Sequence, residues 1–300
     1  MMYVAWNKHY AHQLPAGHRF PMEKYTLLPE QLLYEGTISK ENIFAPERAT
    51  YEQVIQIHEK EYVQKLQDLK LTRKEERATG FPLSTRLVER EYFITGGTIQ
   101  CVDFAREYGV AANVAGGTHH AYRDRGEGFC LFNDIAVGSM YALEKKDVNQ
   151  ILVVDLDVHQ GNGTAKIFEK DPRVFTFSMH GAKNYPLHKE KSDRDVELQD
   201  GIKDDAYLSL LRENLEELVP MVKPDLIFYQ SGVDILSTDK LGRLGVSIPG
   251  CKERDKMVFQ TSRKNNIPVV FNMGGGYSEK LTAIVEAHAN TYRMALNSYF

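Results

Sequence analysis

Five short apolar runs, each closing on a polar or glycine-rich cluster, constrain this 300-residue chain more than any other feature. They are VAANVA at 110–115, ILVVDL at 151–156, VFTFS at 174–178, LIFYQ at 226–230 and VVFN at 269–272. Their length and β-branched content favour strands over helix segments. Helical patterns separate many of them. Thr50 and Gln53 have capping-box spacing, and Val54, Ile57, Tyr62 and Leu66 then recur at helical intervals. The stretches 132–145, 206–218 and 278–296 also read as helices. Strands alternating with helices predict an α/β fold, with a parallel sheet covered on both faces. Sites in such sheets form beyond the carboxyl ends of strands, where the polar clusters of this chain lie. The charged stretch 69–80, LKLTRKEERATG, reads as a surface loop or helix end and not as a domain boundary. The run 189–195 reads as a solvated loop able to reach the rim of a site. One domain is expected over residues 1–300.

Composition excludes some function classes. A formal net charge of −4 gives no global basic field for a nucleic acid. Cys101, Cys130 and Cys251 are too few and too widely spaced for a disulfide framework or a cysteine zinc cluster, which fits a reducing, cytoplasmic setting. The N-terminal MMYVAWNKHYAHQLP reads as mature protein, and no stretch approaches the roughly 20 apolar residues of a membrane span.

Four clusters carry chemistry. In 153–164, VVDLDVHQGNGT, an apolar strand runs into Asp155, Asp157 and His159. Extended chain has a period of two, so the three side chains start on one face, and carboxylate and imidazole both ligate zinc. Turn and capping chemistry explains one Asp there but not three groups in register. In GGTHHA, 116–121, His119 and His120 can serve as acid and base near neutral pH, although two adjacent histidines alone are more often surface residues. Asp234 closes QSGVD and can supply a third ligand; alone, an Asp after a strand is most often a helix cap. MGGGY ends on Tyr277, whose hydroxyl can donate to an oxyanion; alone, it reads as a flexible turn. Together they supply the three protein ligands of a catalytic zinc site, a basic pair and a phenol donor.

These motifs, with GFCLFNDIA at 128–136, resemble the ordered motif series of the histone deacetylase-like superfamily, from HRFPMEKY near Arg19 to the final helix. The stretches GHRFPMEKY and NYPLHKEKSD resemble compact bacterial and class IV-like members. The resemblance implies the arginase/deacetylase fold: one three-layer α/β/α domain around a mainly parallel sheet of about eight strands. It implies Asp157, His159 and Asp234 as zinc ligands, with iron(II) acceptable to the same donors. It implies His119 and His120 as the catalytic histidines, Asp155 as the acid orienting His119, and Tyr277 as the carbonyl-polarising tyrosine. A structural potassium is implied at Asp155, Asp157, His159, Ser178 and Met179. Gly128, Phe129, Tyr185 and Gly275 match the substrate tunnel, and Arg19 matches an arginine of the product channel. Asn162 stands beside His120 where many members carry Asp.

The implied activity is hydrolysis of the amide of an acylated amine, with acetyl-lysine in a protein or peptide as substrate. The alternatives are an acetylpolyamine or longer-chain acyl-lysine deacylase, or a small-molecule amidohydrolase, which a substrate panel separates. An arginase-like dimanganese hydrolase needs more bridging carboxylates than the motifs supply. A non-catalytic acyl-lysine binding module has no use for the intact ligand set and Tyr277. The oligomeric state is not encoded in these patterns. The remaining histidines, His9, His12, His58, His180, His188 and His288, read as packing or surface residues, and Cys130 as a small buried hydrophobe.

Overall fold

The computed structural model of the chain describes residues 1–144 and 147–300. Its strands are β1 (Tyr3–Ala5), β2 (Ile43–Phe44), β3 (Val110–Asn113), β4 (Ile151–Asp155), β5 (Val174–Gly181), β6 (Arg194–Leu198), β7 (Leu226–Gln230) and β8 (Val269–Asn272). The helices are α1 (Lys24–Tyr34), α2 (Tyr51–Val54), α3 (Lys60–Gln67), α4 (Arg73–Thr79), α5 (Thr85–Tyr108), α6 (Asp134–Glu144), α7 (Asn162–Phe168), α8 (Asp204–Val222), α9 (Ile248–Lys264) and α10 (Leu281–Tyr299). Among the described residues the strands form one eight-stranded sheet in the order β2-β1-β3-β8-β7-β4-β5-β6. Every neighbouring pair is parallel.

The central strands are buried on both faces, which is why they read as continuous apolar runs and not as alternating ones. Tyr229 of β7 and Phe271 of β8 are register partners on one face. There they meet Phe259 of α9, and Phe271 also meets Tyr292 of α10. Phe228, one residue away, points to the other face, where α6 comes so close that a side-chain carbon on Gly138 would lie 3.2 Å from its ring. α5 and α6 pack together over that face, while α8, α9 and α10 pack together with α1 on α10. The sheet is thus the middle of three layers.

All five apolar runs are strands. The sheet's other members, β1, β2 and β6, are short or half-polar strands toward or at its edges, where burial is incomplete, and the charges of β6 discourage further pairing there. The expected helix over 132–145 is described as Asp134–Glu144; Lys145 lies outside the described residues. Two expectations are corrected. The helical pattern after Thr50 is two helices, α2 and α3, because the chain turns at His58. That buried ring donates from Nδ1 to Tyr122 O at 2.8 Å and accepts from Asn133 N at 2.9 Å. The stretch 69–80 contains a complete helix, α4, with a Thr72/Glu75 capping box and Gly80 at its left-handed end. The run 189–195 is the expected surface loop, with Lys191 and Asp193 exposed, and it is pinned where Lys189 Nζ donates to Ala182 O, Asn184 O and Pro186 O before Arg194 opens β6.

Two buried charges fix the strand-end loops. Asp134, at the start of α6, accepts from Gly117 N (3.0 Å), Thr118 N (2.7 Å) and Thr118 Oγ1 (2.6 Å) through Oδ1. Its Oδ2 accepts from Thr98 Oγ1 (2.5 Å) and Asn272 Nδ2 (2.7 Å). Arg254, in α9, donates to Gly232 O (2.5 Å), Ser231 O (3.2 Å) and Leu156 O (3.4 Å), while its Nε donates to Asp255 Oδ1 at 2.9 Å. Removing either charge strands buried partners. Asp134→Ala and Arg254→Leu are each expected to destabilise the fold by about 3 kcal/mol or more. Urea unfolding monitored by circular dichroism measures this, and a loss below about 1 kcal/mol would show that other contacts hold the loops.

Candidate active site

The loops after β3, β8, β7 and β4, four adjacent strands, meet at the carboxyl edge of the sheet. The loop after β4 brings Asp157 and His159, and the loop after β7 brings Asp234. One donor atom from each lies within 4.8 Å of the others, and all three residues are buried. His159 Nδ1 is 3.1 Å from both Asp157 Oδ1 and Asp234 Oδ2. Backbone bonds aim the carboxylates: Gly275 N donates to Asp157 Oδ2 (2.8 Å) and Val158 N donates to Asp234 Oδ1 (2.9 Å). Any side chain at Gly275 would collide with both carboxylates, so the loop after β8 closes over them only because that position is glycine.

Without a cation the three groups of this triad set one another's charge. Burial raises the Asp234 carboxyl and the Asp157 charge raises it further, to about 7. Burial disfavours the charged form of His159, but hydrogen bonds and charge from both aspartates outweigh this and raise it to about 10. Two carboxylates and one imidazole converging on one point form a donor set that suits zinc or iron(II). The residues present therefore fit a single divalent ion.

His119 and His120 lie beside the triad, ring centroids 4.1 Å apart. His119 Nδ1 is 2.6 Å from Asp155 Oδ2, and its Nε2 is 4.0 Å from Asp157 Oδ1. Burial disfavours its charge, yet Asp155 outweighs burial and raises it to about 8. His120 Nδ1 is 2.6 Å from Asn162 Oδ1, and burial followed by the charges of His119 and His159 pushes its pKa well below the ordinary value. Adjacent histidines thus shift in opposite directions, one toward the charged and one toward the neutral form. Tyr277 lies 6.4 Å from His159 between ring centroids. Burial and then the charges of Asp234 and Asp157 raise its phenol well above the ordinary value, so it remains a donor.

Phe129 and Tyr185 flank this centre. Tyr185 packs edge-on against His120 at 5.0 Å, and Phe129 lies 6.0 Å from Tyr277. Phe129 adopts a positive φ of 69°, held by its N–H bond to Thr79 O (2.7 Å), next to a Gly128 N–H bond to Ala78 O (3.0 Å). The C-terminal carbonyls of α4 thereby set the wall. A Cβ on Gly80 would meet the Phe129 ring at 2.8 Å. Ser178 of β5 is the register partner of Asp155 and Met179 follows it, beside the triad's strand.

Arg19 departs from expectation. It is exposed and lies over the Phe129 ring at 5.1 Å, at the mouth and not in the interior. Arg90 is a buried cation lining the site, and Lys24, five residues on from Arg19 in the same motif, is buried beside it. Lys24 donates to Gly274 O at 3.0 Å and faces the rings of Phe20, Tyr25 and Tyr277. Burial lowers its pKa to about 8. Asp239 also went unsingled in the sequence; it accepts from Tyr277 N at 2.6 Å and so places the tyrosine. Asn133 and Asp134 carried a readable signal, a polar pair before an apolar helical run. Asp239 carried none, because its loop has no periodicity. Cys130 is buried and free, its thiol pushed well up by burial.

A narrow cavity of about 40 Å³ is lined by His119, His120, Asp157, His159, Phe129 and Tyr277. It adjoins, at Phe20 and Tyr277, a cleft of about 870 Å³ formed by the segment 11–23 with Arg86 and Lys240. Among the described residues, no helix is long and apolar enough to cross a membrane.

The histone deacetylase domain model matches residues 18–292 of the chain. An uncharacterized protein of Picosynechococcus sp. is 41% identical over 296 residues, covering 99% of each chain. Histone deacetylase 2 of Arabidopsis thaliana is 32% identical over 277 residues, covering 89% of this chain and 72% of that one. The crystal structure of a histone deacetylase homologue from Aquifex aeolicus superposes with a TM-score of 0.84 at 24% identity, covering 98% of this chain and 84% of that one, which establishes the shared fold. The extent of the domain match and the Arabidopsis relative together place this chain in the histone deacetylase family.

Proposed function

We propose that the chain is a single catalytic domain over residues 1–300, a metal-dependent deacylase that hydrolyses acetyl-lysine in a protein or peptide. The observation that carries this reading is the gathering of three buried metal-type donors within 4.8 Å beside a narrow cavity lined by His120 and Tyr277. The Arabidopsis relative's designation as a histone deacetylase supports the same substrate class.

In this reading Asp157, His159 and Asp234 hold zinc, or iron(II), which supplies Lewis acidity to a carbonyl and acidity to a water. His120 accepts the proton of the attacking water and returns it to the departing amine. His119, kept charged by Asp155, stabilises negative charge as it develops. Tyr277 donates its hydroxyl to the oxyanion. Phe129 and Tyr185, with Gly128 and Gly275, enclose the substrate's aliphatic stem and exclude water. A potassium ion beside Asp155, Asp157, His159, Ser178 and Met179 would rigidify the ligand loop. The absence of a cysteine cluster and the buried free thiols support a cytoplasmic setting.

Four outcomes are expected. Zinc-loaded protein should deacetylate acetyl-lysine peptides faster than longer acyl-lysine peptides or acetylpolyamines; full metal load without turnover on any of them would sink the reading. Asp157→Ala or Asp234→Ala should lose the metal, measured by elemental analysis of purified protein, whereas full occupancy would reassign the ligands. Tyr277→Phe should retain metal and fold while kcat falls about 10²–10³-fold, and an unchanged kcat would leave Tyr277 a turn residue. Metal loading should release protons at neutral pH, because His159 stays protonated up to about 10 without a cation. That proton favours the metal-free fold below pH 6.5 and its contribution disappears as pH rises through about 10, so metal affinity should fall as pH falls. Calorimetry in buffers of different ionisation enthalpy reads this directly, and buffer-independent heats would contradict it.

A further inference from the structure

His120 can act as a base only if its Nε2 carries no proton, and in a neutral imidazole that requires the proton on Nδ1. Its Nδ1 partner is a side-chain amide, and an amide does not settle the matter by itself. Asn162 can present either its oxygen or its NH2 group, and the two orientations demand opposite tautomers of the ring.

The far side of Asn162 decides between them. Its Nδ2 lies 2.9 Å from Tyr122 Oη and 3.5 Å from Glu127 Oε2. Glu127 is a carboxylate and accepts only. It is already held by Arg125 Nε at 2.8 Å and by the Tyr185 hydroxyl at 2.6 Å. Tyr122 donates its hydroxyl proton to Glu190 Oε1 at 3.2 Å, so its oxygen has lone pairs left for Asn162. Burial, with the charges of Glu127 and Glu190, raises the Tyr122 phenol and keeps that proton on it. Glu190 is fixed in turn by its backbone, through Glu190 N to Gln160 Oε1 at 2.9 Å and Gln160 Nε2 to Glu190 O at 2.7 Å. Every group facing the far side of Asn162 therefore calls for a donor there.

We infer that Tyr122, Glu127 and Glu190 are positioning residues that orient the Asn162 amide and through it hold His120 in the Nδ1–H tautomer, leaving Nε2 free toward the cavity. The direction of control runs inward from two rim carboxylates, through one phenol and one amide, to the buried base. A chain with Asp at 162 would need none of this, since a carboxylate accepts in either orientation. Tyr185, whose ring packs on His120 and whose hydroxyl bonds to Glu127, joins the tunnel wall to the same network.

The inference rests on the proposed role of His120 as base only for its kinetic arm, and nitrogen NMR of the ring reads the tautomer without any substrate. Histidine-labelled, zinc-loaded protein is compared with the Tyr122→Phe/Glu127→Gln double variant, with the His120 signals identified from His120→Ala. In the native protein Nδ1 should be protonated and Nε2 bare. The double variant offers Asn162 a new donor and removes an acceptor. A second population with Nε2 protonated should appear, with kcat on an acetyl-lysine peptide falling roughly tenfold, the scale of one hydrogen bond's preference, while KM and zinc content hold. In an Asn162→Asp background the same two substitutions should leave the proton on Nδ1 and change kcat by less than about twofold, because no amide remains to turn. A native spectrum with Nε2 protonated, or a double-variant spectrum identical to native, would overturn the inference. So would an equal loss of kcat in both backgrounds, which would mark a general packing defect. If no variant turns over any acyl substrate, the proposed function fails, and the spectra still decide the tautomer.

Discussion

A parallel sheet leaves the backbone at the carboxyl ends of its strands without partners, and in this protein two buried charges supply them. Asp134 answers the N–H groups of the turn that carries His119 and His120. Arg254 answers the carbonyls of the segments that carry Asp157 and Asp234. One charge comes from the helix layer on one face and the other from the layer on the opposite face, so the catalytic edge is clamped from both sides. Buried charges are tolerated because their hydrogen-bonding capacity is filled, and the loops tolerate irregular backbone for the same reason.

Within that clamp the charges sort themselves by neighbour. Asp157 and Asp234 face each other across His159, a crowding of negative charge that a divalent ion relieves. Asp155 is set apart on the strand and charges His119 instead. His120, one residue along, bonds to an amide, and burial with the charges of His119 and His159 keeps its pKa low. The Asp155 carboxylate thus separates the charge states of two chemically identical rings.

The central sheet and the chemical clusters were legible because burial on both faces and ligand spacing leave strong local marks. The five apolar runs gave the inner strands, and the i, i+2, i+4 pattern placed Asp157 and His159 together. The edge strands were not legible, since Ile43–Phe44 is too short and Arg194–Leu198 too polar to carry a periodic signal. The stretch 69–80 read as a surface loop or helix end because its charges drew more notice than its Thr72/Glu75 box and closing Gly80, both of which were present. Arg19 and Lys24 were both cations in one motif, and no local property says which of them turns inward.

By itself the sequence determined the α/β class, the inner strands and the clusters that hold the metal-type donors and the histidine pair. Such features depend on residue type and on spacing along a few consecutive residues. Only the tertiary structure decided which cation is buried, how the end of α4 sets Phe129, and that Tyr122, Glu127 and Glu190 converge on Asn162. Those relations join residues tens of positions apart. They follow from the packing of layers, which no local pattern of side chains records, because the energy that fixes each one is shared with partners the chain brings in from elsewhere.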